Sequence, residues 1–388
     1  VIPLALYLLS FVVAFSRPGE GWQPLLLKVQ VPVLILLALA FSVAVSKAWP
    51  LFLLHLAAFF VTATVCHGEL FRRRPPESRL TDFYLWLALG GVLGGVFNTL
   101  LAPVVFTRVI EYPLAVAVAC LLRPSPQPNA PLVRWADVPL PAAAGAAYAG
   151  AVAIAALAEK GFLKSFAVLA GFVLAGMLIH ACRRRPSRLA GALALVLAAG
   201  LLAPDGRTTL AQTRTFFGIH RVTVEAESNI RLLFHGTTIH GAQFADSAQR
   251  RTPLGYYHPE GPLGQFFAAR GESAPSLSAA LIGLGAGAAA CYRRPGESWT
   301  FHEIDPAVEQ LARRYFTYLA DCAPEAPVVI GDGRLALARA AGAFDLIVID
   351  AFSSDAVPVH LLTREALAGY LDKLGAAGVI LLHLSNRH

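Results

Sequence analysis

The residues whose spacing suggests chemistry lie between 278 and 358. Gly283, Gly285 and Gly287 stand in GLGAG, directly after the apolar run SAALI. Glycines there permit a tight turn and let backbone amides come close to a ligand, with a following helix pointing its amino end at it. With Ala288 the same residues also satisfy GxGxxA, a dinucleotide pattern, and a turn made for packing alone has this form too. Three acids follow at comparable places. Glu303 closes the next strand-like run, where a carboxylate can accept both hydroxyls of a ribose. Asp332 follows the third run in VVIGDGRLAL, placed to take a hydrogen bond from an adenine amino group, and Asp350 ends the fourth in LIVIDAF. In an open parallel sheet the ligand crevice lies outside the carboxyl ends of the strands, so the loop and the acids converge. Asp305 and Asp332 read equally well as helix N-caps. The set suits an adenosyl sulfonium nucleoside better than NAD.

These residues require a scaffold of alternating strands and helices. Strands are expected near 278–283, 299–303, 327–331, 345–349 and 378–384, which makes a doubly wound, Rossmann-like α/β domain over 275–388. Before it, GIHRVTVEAE alternates, and IRLLFHG and TTIHGAQ read as two strands around His235 and Gly236; 205–274 is expected to form a small β domain. The Pro-Asp-Gly of APDGRTT marks its start.

Residues 1–204 are of a different kind. The chain is 56% hydrophobic, with a mean hydropathy of +0.57. Lys and Arg number 16 against 7 Asp and Glu over 1–204, and 16 against 18 from 205 onward, so the basic balance belongs to the apolar half. Arginines flanking apolar runs suit a bilayer edge, and no soluble element carries the basic stripe that nucleic acid would need. Seven spans are expected, at about 1–16, 25–46, 50–66, 82–106, 138–158, 163–181 and 187–203, with 111–122 as a half-span. The overlapping pairs Gly90/Gly94 and Gly91/Gly95 read as a helix-packing face, and Asn98 as an interhelical hydrogen bonder. Arg-rich 71–79 and 182–188 read as cytoplasmic. The catalytic half is also expected on the cytoplasmic side, where nucleotide cofactors are, which requires the last segment not to cross or the charge rule to fail. The five cysteines show neither a disulfide framework nor a metal-ligand spacing. Both termini read as cuts through a longer chain.

Taken together, GLGAG, EIDP, GDGR and IDAFSSDAVP, with HGTTIHGAQ and YYHPEGPLG upstream, resemble the spermidine synthase (polyamine aminopropyltransferase) family. The likeness is greatest to the bacterial branch that carries a multi-span membrane region in front. It covers roughly 214–388. It implies an aminopropyltransferase that moves an aminopropyl group from decarboxylated S-adenosylmethionine to a di- or polyamine, without metal. It implies Asp350 as the base and anchor for the amine, Asp355 as a second acid and Tyr257 beside the amine. Gln243, His258, Gly283, Gly285, Gly287, Glu303 and Asp332 are implied at the nucleoside. Asp350 and Asp355 are five apart in DAFSSD, where the family spaces its acids by three. The small β domain, 214–243, is where the resemblance implies a homodimer. His235 and His240 read as structural or rim residues. One position departs: the family's glycine loop carries an aspartate that holds the cationic end of the donor, and Ala286 stands here. Losing that bond removes roughly 1.5–3 kcal/mol. Two other readings therefore stay open, an S-adenosylmethionine-dependent methyltransferase and a polyamine- or nucleoside-binding transporter or sensor without turnover.

Overall fold

A computed structural model describes residues 1–16, 19–41, 48–125, 134–158, 161–203, 207–225, 227–246, 248–271, 275–351 and 358–384. The chain divides into two compact units. The first is Val1–Ala102 with Val109–Asp205, and the second is Gly206–His388 with Pro103–Arg108.

The first unit is helical. Among the described residues, five helices are long and apolar enough to cross a membrane: Gly21–Ala40, Trp49–Arg72, Glu77–Val105, Trp135–Leu157 and Phe162–Arg184. The spans expected at 1–16 and 187–203 form the shorter apolar helices Ile2–Phe15 and Pro186–Leu201, of 14 and 16 residues. Leu189, Leu193 and Leu197 recur every fourth residue on the latter and are buried with Tyr148 and Ile179 in the core of this unit. Two expectations fail here. A methyl group added at Gly90, Gly91, Gly94 or Gly95 would meet nothing within 4 Å, so no described part of the chain packs on that face. Asn98 bonds back to Gly94 O of its own helix at 2.8 Å, where a π-turn (Phe97–Leu101) brings the two together. Interhelical hydrogen bonds come from Gln23 and Gln30 instead, to Val65 O and Thr62 Oγ1.

The second unit holds two sheets. The strands β1 (Arg207–Thr215), β2 (Gly218–Glu225), β3 (Ile230–His235) and β4 (Thr238–Phe244) form an antiparallel meander in that order. β1 extends the expected β region to 207. The strands β5 (Ser278–Ile282), β6 (Ser298–Glu303), β7 (Val328–Ile330), β8 (Phe344–Ile349) and β9 (Leu374–Leu382) form a parallel sheet in the order β7-β6-β5-β8-β9. Its middle strands are covered on both faces, which is why SAALI and FDLIVI are nearly unbroken apolar runs. Ala279 and Leu281 point into one core with Phe301 and Trp299; Ala280 and Ile282 point into the other with Ile347 and Ile349. The order reverses at β5, between β6 and β8, and this is the switch point that opens a crevice at the strands' carboxyl ends.

Two details differ from expectation. The glycine loop is followed by a five-residue 3-10 turn, Ala288–Tyr292, because Pro295 and Gly296 leave no length for an α-helix before β6. Cys291 on that turn is disulfide-bonded to Cys322, with Cα atoms 4.8 Å apart. The two are 31 residues apart in sequence and meet because the turn packs on the short helix Tyr318–Cys322, a contact that cysteine spacing does not reveal.

Candidate active site

The carboxyl ends of the parallel strands and the inner side of β2–β4 enclose a cavity of about 310 Å³. Gly283 and Gly285 line it at the end of β5. Gly283 has φ +103°, and a Cβ there would stand 2.0 Å from Asp350 O. Gly285 has φ +54°, and a Cβ would stand 2.6 Å from His240 O. Each is therefore glycine for conformation and for close approach together. Gly287 is not among the lining residues; it packs on Leu319.

Glu303, Asp305, Asp332 and Asp350 all line the cavity. Glu303 ends β6 and is aimed by two backbone amides, Leu284 N and Asp305 N, each donating at 3.0 Å. Burial raises its pKa, against the pull of those amides. Asp305 caps the helix Pro306–Tyr315 through Ala307 N, 2.9 Å, with proline at the first helical position. Its other oxygen accepts from Thr215 and pairs with His220 Nε2 at 2.8 Å. Burial would raise the Asp305 pKa, but the hydrogen bonds from His220, Thr215 and Ala307 outweigh it and hold the carboxyl low. Asp332 caps the helix Gly333–Arg339 through Leu335 N, 3.0 Å, and meets His360 Nε2 at 3.1 Å. Both cap readings thus hold alongside the cavity position.

Asp350 follows β8 and, like Asp305, has three hydrogen-bonding partners. The hydroxyls of Tyr256 (3.1 Å) and Tyr257 both donate to Oδ2, and His383 Nδ1 meets Oδ1 at 2.6 Å. Both tyrosines come from the 3-10 turn Gly255–Tyr257. Burial and the neighbouring carboxylate push both phenols well above their usual pKa, so they stay neutral and can donate to the carboxylate.

The expected residues divide accordingly. Glu303, Asp332, Asp350, Gly283 and Gly285 are brought together, with Tyr257 behind them on Asp350. Gln243 is elsewhere: it is fully buried, its amide donates to Arg250 O (2.8 Å) and Thr317 Oγ1 (2.9 Å) and accepts from Thr317 N. It staples β4 to the parallel-sheet core. His258 is half-exposed beside Glu260 and does not line the cavity. Asp355 lies outside the described residues. Tyr256, His360 and His383 were not anticipated. His235 and His240, read as rim residues, both line the cavity, with His220 and His302. The β3–β4 register shifts at His240, which falls between Ile239 opposite Phe234 and Gly241 opposite Leu233, and this irregularity was not legible in the sequence.

Ala286 is buried, and β4 lies directly on it: a Cβ at Gly241 would stand 2.4 Å from that of Ala286. A carboxylate at 286 has no room unless β4 moves. None of the described residues lining the cavity is Lys or Arg, so its four carboxylates face no fixed cation.

A parallel sheet with a glycine loop and strand-end acids around a cavity at its switch point defines a doubly wound α/β protein. No family model matches the chain. Over 106 residues, 26% of this chain and 35% of the relative, it is 36% identical to a polyamine aminopropyltransferase of Vibrio vulnificus (strain CMCP6). Over 180 residues, 46% of this chain and 33% of the relative, it is 24% identical to a probable polyamine aminopropyl transferase of Bifidobacterium longum (strain NCC 2705). The chain spans about a third of the length of each of these curated relatives. Among solved structures it is similar to spermidine synthase from Thermotoga maritima (TM-score 0.34, 18% identity, 45% of this chain and 56% of that one). It is also similar to a probable spermidine synthase from Corynebacterium glutamicum ATCC 13032 (TM-score 0.37, 17% identity, 45% and 62%). The curated relatives matched are thus named as polyamine aminopropyltransferases, over 106 and 180 residues of this chain.

Proposed function

We propose that the second unit transfers an aminopropyl group from decarboxylated S-adenosylmethionine to a di- or polyamine. The observation that carries this is the charge of the cavity, four carboxylates with no Lys or Arg among the described lining residues. Such a wall favours a sulfonium and an ammonium, and a pyrophosphate or the α-carboxylate of S-adenosylmethionine would meet four carboxylates and no Lys or Arg among the described lining residues. NAD and the methyltransferase reading are disfavoured on the same ground. The residues fit the nucleoside: Glu303 faces where a ribose would lie, with Asp332 at the next strand end and the loop of Gly283 and Gly285 between them.

In the reaction the amine nitrogen attacks the aminopropyl carbon bound to sulfur. The new C–N bond forms as the C–S bond breaks, its electron pair returning to sulfur, and methylthioadenosine leaves as a neutral thioether. The leaving group needs no acid. The amine must shed one proton, and Asp350 is placed to anchor the ammonium and receive it. Asp355 and Tyr257 remain assigned to the amine side, as proposals of the family likeness.

The helical unit is proposed to anchor this activity in a bilayer, supported by its five long apolar helices. The test is incubation of the full-length protein with decarboxylated S-adenosylmethionine and putrescine, with the amine product followed by chromatography. An amine longer by one aminopropyl unit is expected. Asp350→Asn should slow its formation about 10²- to 10⁴-fold, the usual contribution of a positioned base, while donor affinity holds. No lengthened amine from any common diamine or polyamine would defeat the proposal.

A further inference from the structure

The Asp350 carboxylate is not alone at its strand end. The parallel register of β8 and β9 pairs Ile349 with Leu382, and His383 N donates to Ile349 O at 3.0 Å. The two following residues, Asp350 and His383, therefore stand side by side at the cavity. The His383 ring lies against Tyr256, centroids 4.1 Å apart, and its Nδ1 meets Asp350 Oδ1 at 2.6 Å. An ionised carboxylate only accepts, so Nδ1 carries the proton, and a second proton on Nε2 makes the ring a cation. With both tyrosines on Oδ2, three donors hold the carboxylate in one orientation.

We infer that His383 is a positioning residue that makes the charge of Asp350 pH-dependent, so that the site's hold on a cationic amine switches off as the imidazole protonates. This rests on the aminopropyltransferase reading for its substrate, and on geometry alone for the pair. While His383 is neutral the pair bears one negative charge, matched to an ammonium. Once the ring is cationic the pair is neutral overall, and the amine loses its anchor while the nucleoside side keeps Glu303 and Asp332. Among the described residues, Tyr256 and Tyr257 are titratable groups in contact with the pair. The others on the cavity wall are His220, His235 and His240 of the meander, His302, Glu303 and Asp305 at the end of β6, and Asp332 with His360.

The test uses the full-length protein in detergent and two readouts. First, ring-labelled histidine is titrated by NMR without substrate, with the His383 signal identified by its loss in His383→Asn. The two side chains share one hydrogen bond, so Asp350→Asn is expected to move the His383 midpoint. Second, kcat/KM for the amine is measured against pH. His383→Asn keeps an N–H donor but holds no titrating proton, and it should lose the imidazole-dependent part of the acid limb with KM for the donor unchanged. His383→Gln serves as a second non-titrating variant. An unmoved midpoint in Asp350→Asn, or a wild-type acid limb in both His383 variants, overturns the inference. If the wild-type protein transfers nothing, the functional reading has failed, and the titration still decides the pair.

Discussion

Ala286 is the residue at which donor recognition must differ from the family pattern. The carboxylate that holds the donor's cationic end in that pattern is absent, and Gly241 of β4 closes the space above it. On the proposed reading the donor's positive charge must then be met by the rest of the acidic wall, Glu303, Asp305 and Asp332, with Asp350 left to the amine. Restoring the family residue should not restore family affinity. Ala286→Asp is expected to lower the melting temperature, because overpacking a filled site costs about 1–3 kcal/mol, and to weaken rather than strengthen donor binding measured by calorimetry. Tighter binding with unchanged stability would show that β4 does not seat where the structure places it. At this scale the sequence was legible for the strand-end acids, since an acid after an apolar run can only lie at a sheet's rim. It was silent on His383, whose partner is 33 residues away in sequence and beside it only through the β8–β9 register.

At the level of elements, all five parallel strands were legible: four are largely apolar runs long enough for one strand and too short for a helix, and β6, SWTFHE, alternates apolar with polar residues before its acid. Two features were not. The 3-10 turn after the glycine loop and the Cys291–Cys322 disulfide both depend on how tightly that segment packs, which periodicity does not report. Gln243 and His258 do not line the cavity: Gln243 is buried with Thr317 and Arg250 as its partners, and His258 stands half-exposed after the turn Gly255–Tyr257. β6 carries a further consequence. His302 is buried in it, with both ring nitrogens unpartnered, and burial lowers its pKa. A base whose folded pKa lies below its ordinary value near about 6.5 binds more protons unfolded than folded, so stability rises with pH through that window and falls on acidification. His302→Val should therefore hold or raise the melting temperature at pH 7 and shrink its drop between pH 7 and 5. An undiminished drop would assign the acid sensitivity to other groups.

The whole molecule joins a helical unit with five helices long and apolar enough to cross a membrane to a unit for which a soluble adenosyl donor is proposed. The proposal keeps the second unit on the cytoplasmic side, where that donor is supplied, and this placement requires Cys291 and Cys322 to be reduced in the cell, since disulfides persist in oxidising compartments. A membrane-permeant maleimide applied to intact cells is expected to label both. A pair that resists until reductant is added would put the site on the oxidising side, which is also where the Arg-rich segments 71–79 and 182–188 would place it if the helix Pro186–Leu201 crosses.

What decides the account is the nucleoside left behind when the full-length protein turns over. Offered S-adenosylmethionine and its decarboxylated form together, with a diamine present, it should release methylthioadenosine, detected by mass spectrometry, and leave the carboxylated donor untouched. Accumulation of S-adenosylhomocysteine instead would mean that a cavity walled by Glu303, Asp305, Asp332 and Asp350 accepts an anionic donor tail, and the charge argument would be wrong.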